Sequence, residues 1–334
     1  MTCTRRLALG LVAATAAGLA SPRRAQAQGW TPTRIVKLIV PYPPGGPTDA
    51  IARLVARELT ASLGQNVIVE SLAGASGAVG TRVVARAEPD GHTIMLGNNQ
   101  THRYNTHLMR EPGYDAVADF APLAGAGAFE HVFVVSPGLM SKGVAVRSIG
   151  ELVELARREP GRLNYASTGA GSGSHLATEL FMARTGIRMT HVPFRGAAPL
   201  VTELMAGRVD VSCSTLPSVL GQIQGGTLRA IGLASLQRNP VIPEVPTLRE
   251  QGIVDADAES WTAFFAPART PAPALDRLSR EILAALGRPT VRDALSQIGF
   301  TVALRSPAEF SQYHAAEIET WGQIIRETRV RQDG

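Results

Sequence analysis

The 334 residues carry 33 Lys and Arg against 28 Asp and Glu, a formal net charge of +5, and 45% are hydrophobic. That length suits about two domains of common size. Residues 1–27 read as an export signal: Arg5 and Arg6, an apolar run over 7–20 too short for a comfortable membrane span, then Ala25-Gln26-Ala27 in the small-x-small pattern of a cleavage site. Thr4-Arg5-Arg6-Leu7 admits the twin-arginine route beside the general secretory one. Cleavage near Ala27 removes Arg5, Arg6, Arg23 and Arg24 and no acid, so the net charge falls from +5 to +1. No dense basic run remains, so nucleic-acid binding is not supported. Cys3 leaves with the signal and Cys213 stays alone, which excludes an internal disulfide. Cys213 reads as a small buried residue. No Cys/His cluster has metal-ligand spacing, and no cofactor is called for. The expected mature product is a soluble, exported, two-domain monomer.

From residue 34 strands and helices alternate. Residues 34–40 (RIVKLIV) read as a strand. They lead through Gly45 and Gly46 into a helix with Ile51, Leu54, Val55, Leu59 and Leu63 on one face. Thr48 and Asp49 are good capping types, although Asp49 also stands four residues before Arg53 and could simply pair with it. A strand, 66–70, is followed by the glycine-rich loop 71–80, and a further strand spans 93–96. Residues 103–119 are polar and turn-rich, and 120–128 starts a crossing toward a second unit. There, strands are expected at 131–135, 163–167, 189–192, 209–214 and 228–233. Helices are expected at 148–158, 175–184, 198–206 and 217–224. The first of these helices opens on a capping-box pair, Ser148 and Glu151. Residues 261–266 return to the first unit, followed by helices at 273–286 and 290–298, a strand near 300–304 and a long terminal helix at 307–327. This alternation predicts parallel sheets in an α/β fold.

Three strand-to-helix junctions are rich in glycine: Gly45-Gly46, Gly74 to Gly80, and Gly169 to Gly173. Such turns gather at the carboxyl ends of strands, where free N–H groups and the helix dipole favour an anion. They do not fit nucleotide motifs. No Lys stands where a P-loop needs one, and Gly169-x-Gly171-x-Gly173 lacks dinucleotide spacing. Gly74-Ala75-Ser76-Gly77-Ala78 comes near a nucleophile elbow but lacks its last glycine. His175, His191 and Asp210 can be drawn as a triad without a specific motif behind them.

The ordered blocks VPYPPGGPTDAIAR (40–53), PDGHTIMLGNNQTH (89–102), YASTGAGSGSHLATELF (165–181), HVPFRGAAP (191–199), LMAGRVD (204–210) and SWTAFFAPARTP (260–271) resemble the extracytoplasmic solute-binding proteins of tripartite tricarboxylate transporters, the TctC or Bug family. The resemblance runs over nearly the whole mature chain. It implies a type II periplasmic-binding-protein fold, two α/β lobes with a ligand cleft between them: 28–127 with 263–334 as one lobe and 128–262 as the other. It implies a periplasmic receptor, not an enzyme, that binds a small carboxylate (di- or tricarboxylate, amino acid or aromatic acid) and hands it to a large and a small membrane subunit. Carried over, Tyr42, Gly45, Gly46, Thr48 and Asp49 line one wall with Gly74, Ala75, Ser76, Gly77, Asn98 and Thr101. Thr168, Gly169, Gly171, Ser172 and His175 line the other, with Phe194, Arg195 and Gly196 nearby. The second turn departs from the family pattern, with Leu72 at a usually basic place and Ser76 at a usual glycine. Phe194-Arg195 stands for a frequent Tyr-Lys, which keeps the charge and changes the donor geometry. A sensor domain signalling to a membrane kinase, or a hydrolase, are the alternative expectations.

Overall fold

The computed structural model describes residues 29–141, 145–328 and 330; the export signal expected over 1–27 lies outside them. The first sheet begins with β1 (Val36–Val40), α1 (Pro47–Leu63), β2 (Val67–Ser71), α2 (Ala78–Ala85) and β3 (Thr93–Asn98). Ile51, Val55, Leu59 and Leu63 of α1 are all buried against this sheet, as their helical spacing predicts. Gly64 ends α1 at φ 68, a left-handed stop that costs a glycine little. A short helix, α3 (Asn105–Leu108), precedes the long strand β4 (Phe120–Phe129).

The second sheet starts at β5 (His131–Val135), followed by α4 (Pro137–Ser141), α5 (Ile149–Arg158), β6 (Asn164–Ser167) and α6 (Gly173–Thr185). β7 (Thr190–Pro193), α7 (Ala197–Met205), β8 (Val211–Thr215), α8 (Leu216–Gln224) and β9 (Arg229–Leu233) complete it. The Ser148 side chain caps α5 by accepting from Glu151 N–H, and the Glu151 carboxylate reaches back to Arg147 N–H. The chain then returns through β10 (Ser260–Pro267) to α9 (Ala272–Gly287), α10 (Pro289–Gln297), β11 (Phe300–Arg305) and α11 (Pro307–Thr328).

Strand order is β11-β4-β10-β3-β1-β2 in one sheet and β7-β6-β8-β5-β9 in the other. The expected parallel pairing holds for β1 with β2 and β3, and for β6 with β7 and β8. It fails for the crossing strands. β10 runs antiparallel to β3 and β4, and β5 runs antiparallel to β8 and β9. These strands enter directly from the other sheet without a helical crossover, so nothing forces them parallel. The change of sheet is abrupt: Phe129 pairs with Ser260, and His131, two residues on, pairs with Thr215.

The polar stretch expected to be turn-rich is bends and turns over 109–119, but its start departs from that expectation. Gln100–Tyr104 coils as one turn of π-helix, and residues 100–105 are all buried. Arg103 is only 1% exposed. Its guanidinium lies 4.5 Å from the Tyr104 ring centroid and 4.5 Å from that of Trp321, and it is ion-paired with Glu317 of α11. A buried charge demands such a partner, and here the terminal helix supplies it. α11 in turn joins both cores: Phe310 packs with Trp261 and Phe265 beside the first sheet, while Trp321, Ile324 and Ile325 pack in the cluster of Phe133 and Leu180 beside the second.

Removing one partner of a buried pair leaves an uncompensated charge. Glu317→Ala is therefore expected to lower unfolding stability by about 3 kcal/mol, read from the shift in urea midpoint at unchanged m-value. A loss within experimental error of zero contradicts this account of the junction.

Candidate functional site

The first wall expected from the sequence falls on three loops at the carboxyl ends of β1, β2 and β3. Gly45 takes φ +84, and a Cβ there would meet nothing within 4 Å, so the turn borders open space. Gly46 is the N-cap of α1, with no side chain capping it and Pro47 next. Asp49 is buried, and its Oδ2 accepts from Gly45 N–H at 3.0 Å and from Arg53 Nε at 2.8 Å. It thus braces the turn and neutralises its own charge, the pairing its spacing allowed. Burial raises the Asp49 pKa, but the bonds from Arg53 and Gly45 outweigh it and leave the carboxyl below its ordinary range.

Tyr42, Gly77, Asn98 and Thr101 are brought together. Tyr42 donates its hydroxyl to Asn98 Oδ1 at 2.7 Å, and the same oxygen accepts from Gln100 N–H at 3.0 Å. Thr101 Oγ1 accepts from Asn98 N–H at 3.1 Å. A Cβ on Gly77 would lie 2.6 Å from Thr101 Cγ2 and 3.4 Å from the Tyr42 oxygen. The turn over Gly74, Ala75, Ser76 and Gly77 holds φ values of 137, 45, 50 and 85 in succession. Two non-glycine residues in that region are strained, and the strain is held by neighbours: Asn105 Nδ2 donates to Ser76 O at 3.1 Å. α2 then opens at Gly77, again without a side-chain cap.

The second expected wall falls on the turn between β6 and α6. Ser172 caps α6 by accepting from His175 N–H. Thr168 N–H donates to Ser174 Oγ at 2.9 Å, and Gly171 N–H donates to His175 Nδ1 at 3.0 Å. Phe194 belongs to the same wall: its N–H donates to Ser167 O at 2.9 Å, and a Cβ on Gly169 would sit 3.6 Å from Phe194 O. Arg195 is exposed beside it, and Gly196 is the uncapped N-cap of α7. Against Gly173 lie two buried residues that sequence reasoning missed. A Cβ on Gly173 would lie 3.2 Å from His131 Nε2 and 3.7 Å from Tyr104. His131 donates Nδ1–H to Ala258 O at 2.5 Å, and burial pushes its pKa down to about 4. Its place at the first residue after the sheet change was the available signal.

The triad drawn on paper is not assembled. Asp210 Oδ2 accepts from Asn164 N–H at 2.8 Å, a backbone role at the start of β6. His175 and His191 do meet, stacked at 3.9 Å between centroids and 14° between planes. Cys213 is free and buried, as expected, and burial drives its thiol pKa well up. Among the described residues, no group of His, Cys, Asp and Glu could hold a metal ion, and no helix is long and apolar enough to cross a membrane.

Two mixed α/β sheets joined by crossing strands, with glycine turns at the strand ends, form the two-lobe architecture of periplasmic binding proteins. The periplasmic binding protein BugD superposes with a TM-score of 0.79 at 29% identity, over 90% of this chain and 100% of that one. The chain belongs to the TctC family, described as the tripartite tricarboxylate transporter family receptor, whose model matches residues 51–330. It is 38% identical over 311 residues to a UPF0065 protein from the tcbD-tcbE intergenic region of Pseudomonas sp. strain P51, covering 93% of this chain and 91% of that one. It is 36% identical to Protein BugT of Bordetella pertussis over 99% of both. Among solved structures it is similar to R. palustris Rpa4515 with adipate (TM-score 0.82, 32% identity, 90% and 99% coverage). It is likewise similar to MatC from Rhodopseudomonas palustris with bound malate (TM-score 0.77, 32% identity, 88% and 99% coverage).

Burial, then the neighbouring His175, holds the His191 pKa down at about 4, against 6.5 ordinarily, with Glu179 opposing. The unfolded chain therefore binds more protons in this window, and the contribution of His191 to stability falls as pH drops from about 6.5 toward about 4. Urea midpoints measured across that window are expected to fall with acid. His191→Gln is expected to flatten part of the slope, His131 supplying more of it. An unchanged slope in the variant contradicts the half-buried neutral state of His191.

Proposed function

We propose that this protein captures a small carboxylate in the periplasm and delivers it to the large and small membrane subunits of a tripartite tricarboxylate transporter. The observation that carries this reading is the pair of glycine turns after β1 and β6, each opening into a helix N-terminus. Backbone N–H groups at such ends suit a carboxylate, and they need no counter-cation from a side chain. The Gly74–Gly77 and Asn98–Thr101 loops complete the first wall; Phe194, Arg195 and Gly196 extend the second. The lobes divide near residue 130 and just before Ser260, a few residues from the expected 127/128 and 262/263, and an acid bridging the walls favours the closed arrangement by its greater affinity for it. Export by the general secretory or twin-arginine route, with cleavage near Ala27, delivers a monomer.

Because solved relatives hold adipate and malate, these acids head the panel to be tested. A thermal-shift screen should show at least one acid raising Tm in a dose-dependent way, since an acid at about 100 times its Kd stabilises by about 2.7 kcal/mol. Gly171 sits at φ +70 and is buried, so Gly171→Val is expected to weaken binding of that acid about ten-fold or more while the chain stays folded. Failure of every di-, tri- and monocarboxylate, amino acid and aromatic acid to shift Tm contradicts the proposal.

A further inference from the structure

The turns differ in what they can offer a second anionic group. α1 opens on Gly46 with no side chain capping it, so its first N–H groups stay open. The turn after β6 has spent most of its donors on itself. Thr168 N–H donates to Ser174 Oγ, Gly169 N–H to Ser167 Oγ, and Gly171 N–H to His175 Nδ1. Ser172 N–H donates to Gly169 O, and His175 N–H to Ser172 Oγ. Formal charge is just as scarce. The site turns, over 42–49, 74–77, 98–101, 168–175 and 194–196, hold one acid, Asp49, and one Lys or Arg, Arg195. Arg53 already pairs with Asp49 at 2.8 Å, so the first wall carries no net charge from that pair.

Arg195 follows the carboxyl end of β7, next to the turn after β6. β6 and β7 run parallel, with Ser167 opposite Pro193. Phe194 N–H donates to Ser167 O at 2.9 Å, and a Cβ on Gly169 would lie 3.6 Å from Phe194 O. A Cβ on Gly196 would meet nothing within 4 Å, so the turn borders open space beyond Arg195. Arg195 is exposed, and among the described residues its guanidinium has no hydrogen-bond or ion-pair partner. Neighbouring strands lie about 4.8 Å apart, so Arg195 leaves the sheet one strand beyond the Gly169 turn. That offset suits a group carried further along the ligand than its first carboxylate. We propose that Arg195 determines specificity by pairing with the second carboxylate of a dicarboxylic acid, so that the site prefers diacids to monoacids of the same chain length. A guanidinium presents two parallel N–H donors that match a carboxylate, which a lysine ammonium does not. Water screens an exposed pair of this kind, and its exclusion as the lobes close strengthens it.

This selection rests on the carboxylate-receptor reading, and its test separates the two. Calorimetry on the mature protein compares malate, glutarate and adipate with hydroxybutyrate, pentanoate and hexanoate, which keep the chain length and lose one carboxylate. The pH is held at about 7.5, where every carboxyl is ionised. In the wild type the best diacid should bind about ten-fold or more tightly than its monoacid, the worth of a hydrogen bond between charged groups. Arg195→Gln should cut that ratio about ten-fold, and Arg195→Lys should keep part of it, because the charge stays and the fork is lost. The wild-type ratio should shrink as salt is raised to about 0.5 M. Without acid, Tm of Arg195→Gln should match the wild type, since the side chain is exposed. A residue that only supports the turn would weaken both members of a pair alike. An unchanged ratio in Arg195→Gln therefore overturns the proposal. Monoacids that bind the wild type as tightly as diacids, or diacids that fail to bind it, overturn the proposal too. The receptor reading falls as well only if the wider screen of acids finds none that raises Tm.

Discussion

The fold turns on a charge that has no access to water. Arg103 is sealed between the Tyr104 and Trp321 rings, and its ion pair comes from Glu317, far along the chain on α11. Burying a guanidinium in that way is tolerable only if its partner is held in place. The terminal helix must therefore lie across the junction, where it packs into both hydrophobic cores. Arg103 also donates to the Tyr104 hydroxyl at 2.6 Å, and Asn99 Nδ2 donates to the same oxygen at 3.0 Å. Asn99 is bound through Oδ1 to Ser260 at 2.9 Å, at the start of the returning strand. One buried cation thus fixes the end of β3, the return strand and the last helix relative to one another.

That junction lies at the base of the turns proposed to hold the acid. Asn98 and Thr101, which join Tyr42 and Gly77 in the first wall, lie on the same short segment as Asn99 and Arg103. Tyr104 ends that segment and approaches Gly173, where the second wall turns into α6. The outward crossing from β4 to β5 carries its own buried polar link: Glu130 accepts from Asn239 at 2.9 Å and from Thr301 at 2.5 Å, one in each half of the molecule. Burial pushes the Glu130 pKa up, with its two side-chain donors opposing. A buried polar network whose members are satisfied fixes one geometry at the crossing.

Much of the fold is legible because period and punctuation agree. Ile51, Val55, Leu59 and Leu63 mark the buried face of α1, Gly64 and Gly186 stop their helices in left-handed conformations, and Ser148 and Ser172 cap theirs. The site turns are legible as glycine clusters, and Asp49 with Arg53 as a pair at helical spacing. Illegible were the features made by distant residues. Arg103 lies in a stretch whose composition says surface, and only Glu317 and Trp321 explain its burial. His191 could be paired with His175 on paper, but the stack of their rings, in place of any catalytic arrangement with Asp210, depends on β6 and β7 lying side by side. The antiparallel course of β5 and β10 follows from where the chain changes sheets, which alternation alone does not reveal.

The central claim is that an acid is held between two walls that close on it. Small-angle X-ray scattering of the mature protein, with and without the carboxylate that most raises its Tm, tests this directly. The account requires the radius of gyration to fall on addition of that acid, because contacts to both turns favour the closed lobes. A saturating acid that leaves the scattering curve unchanged contradicts it.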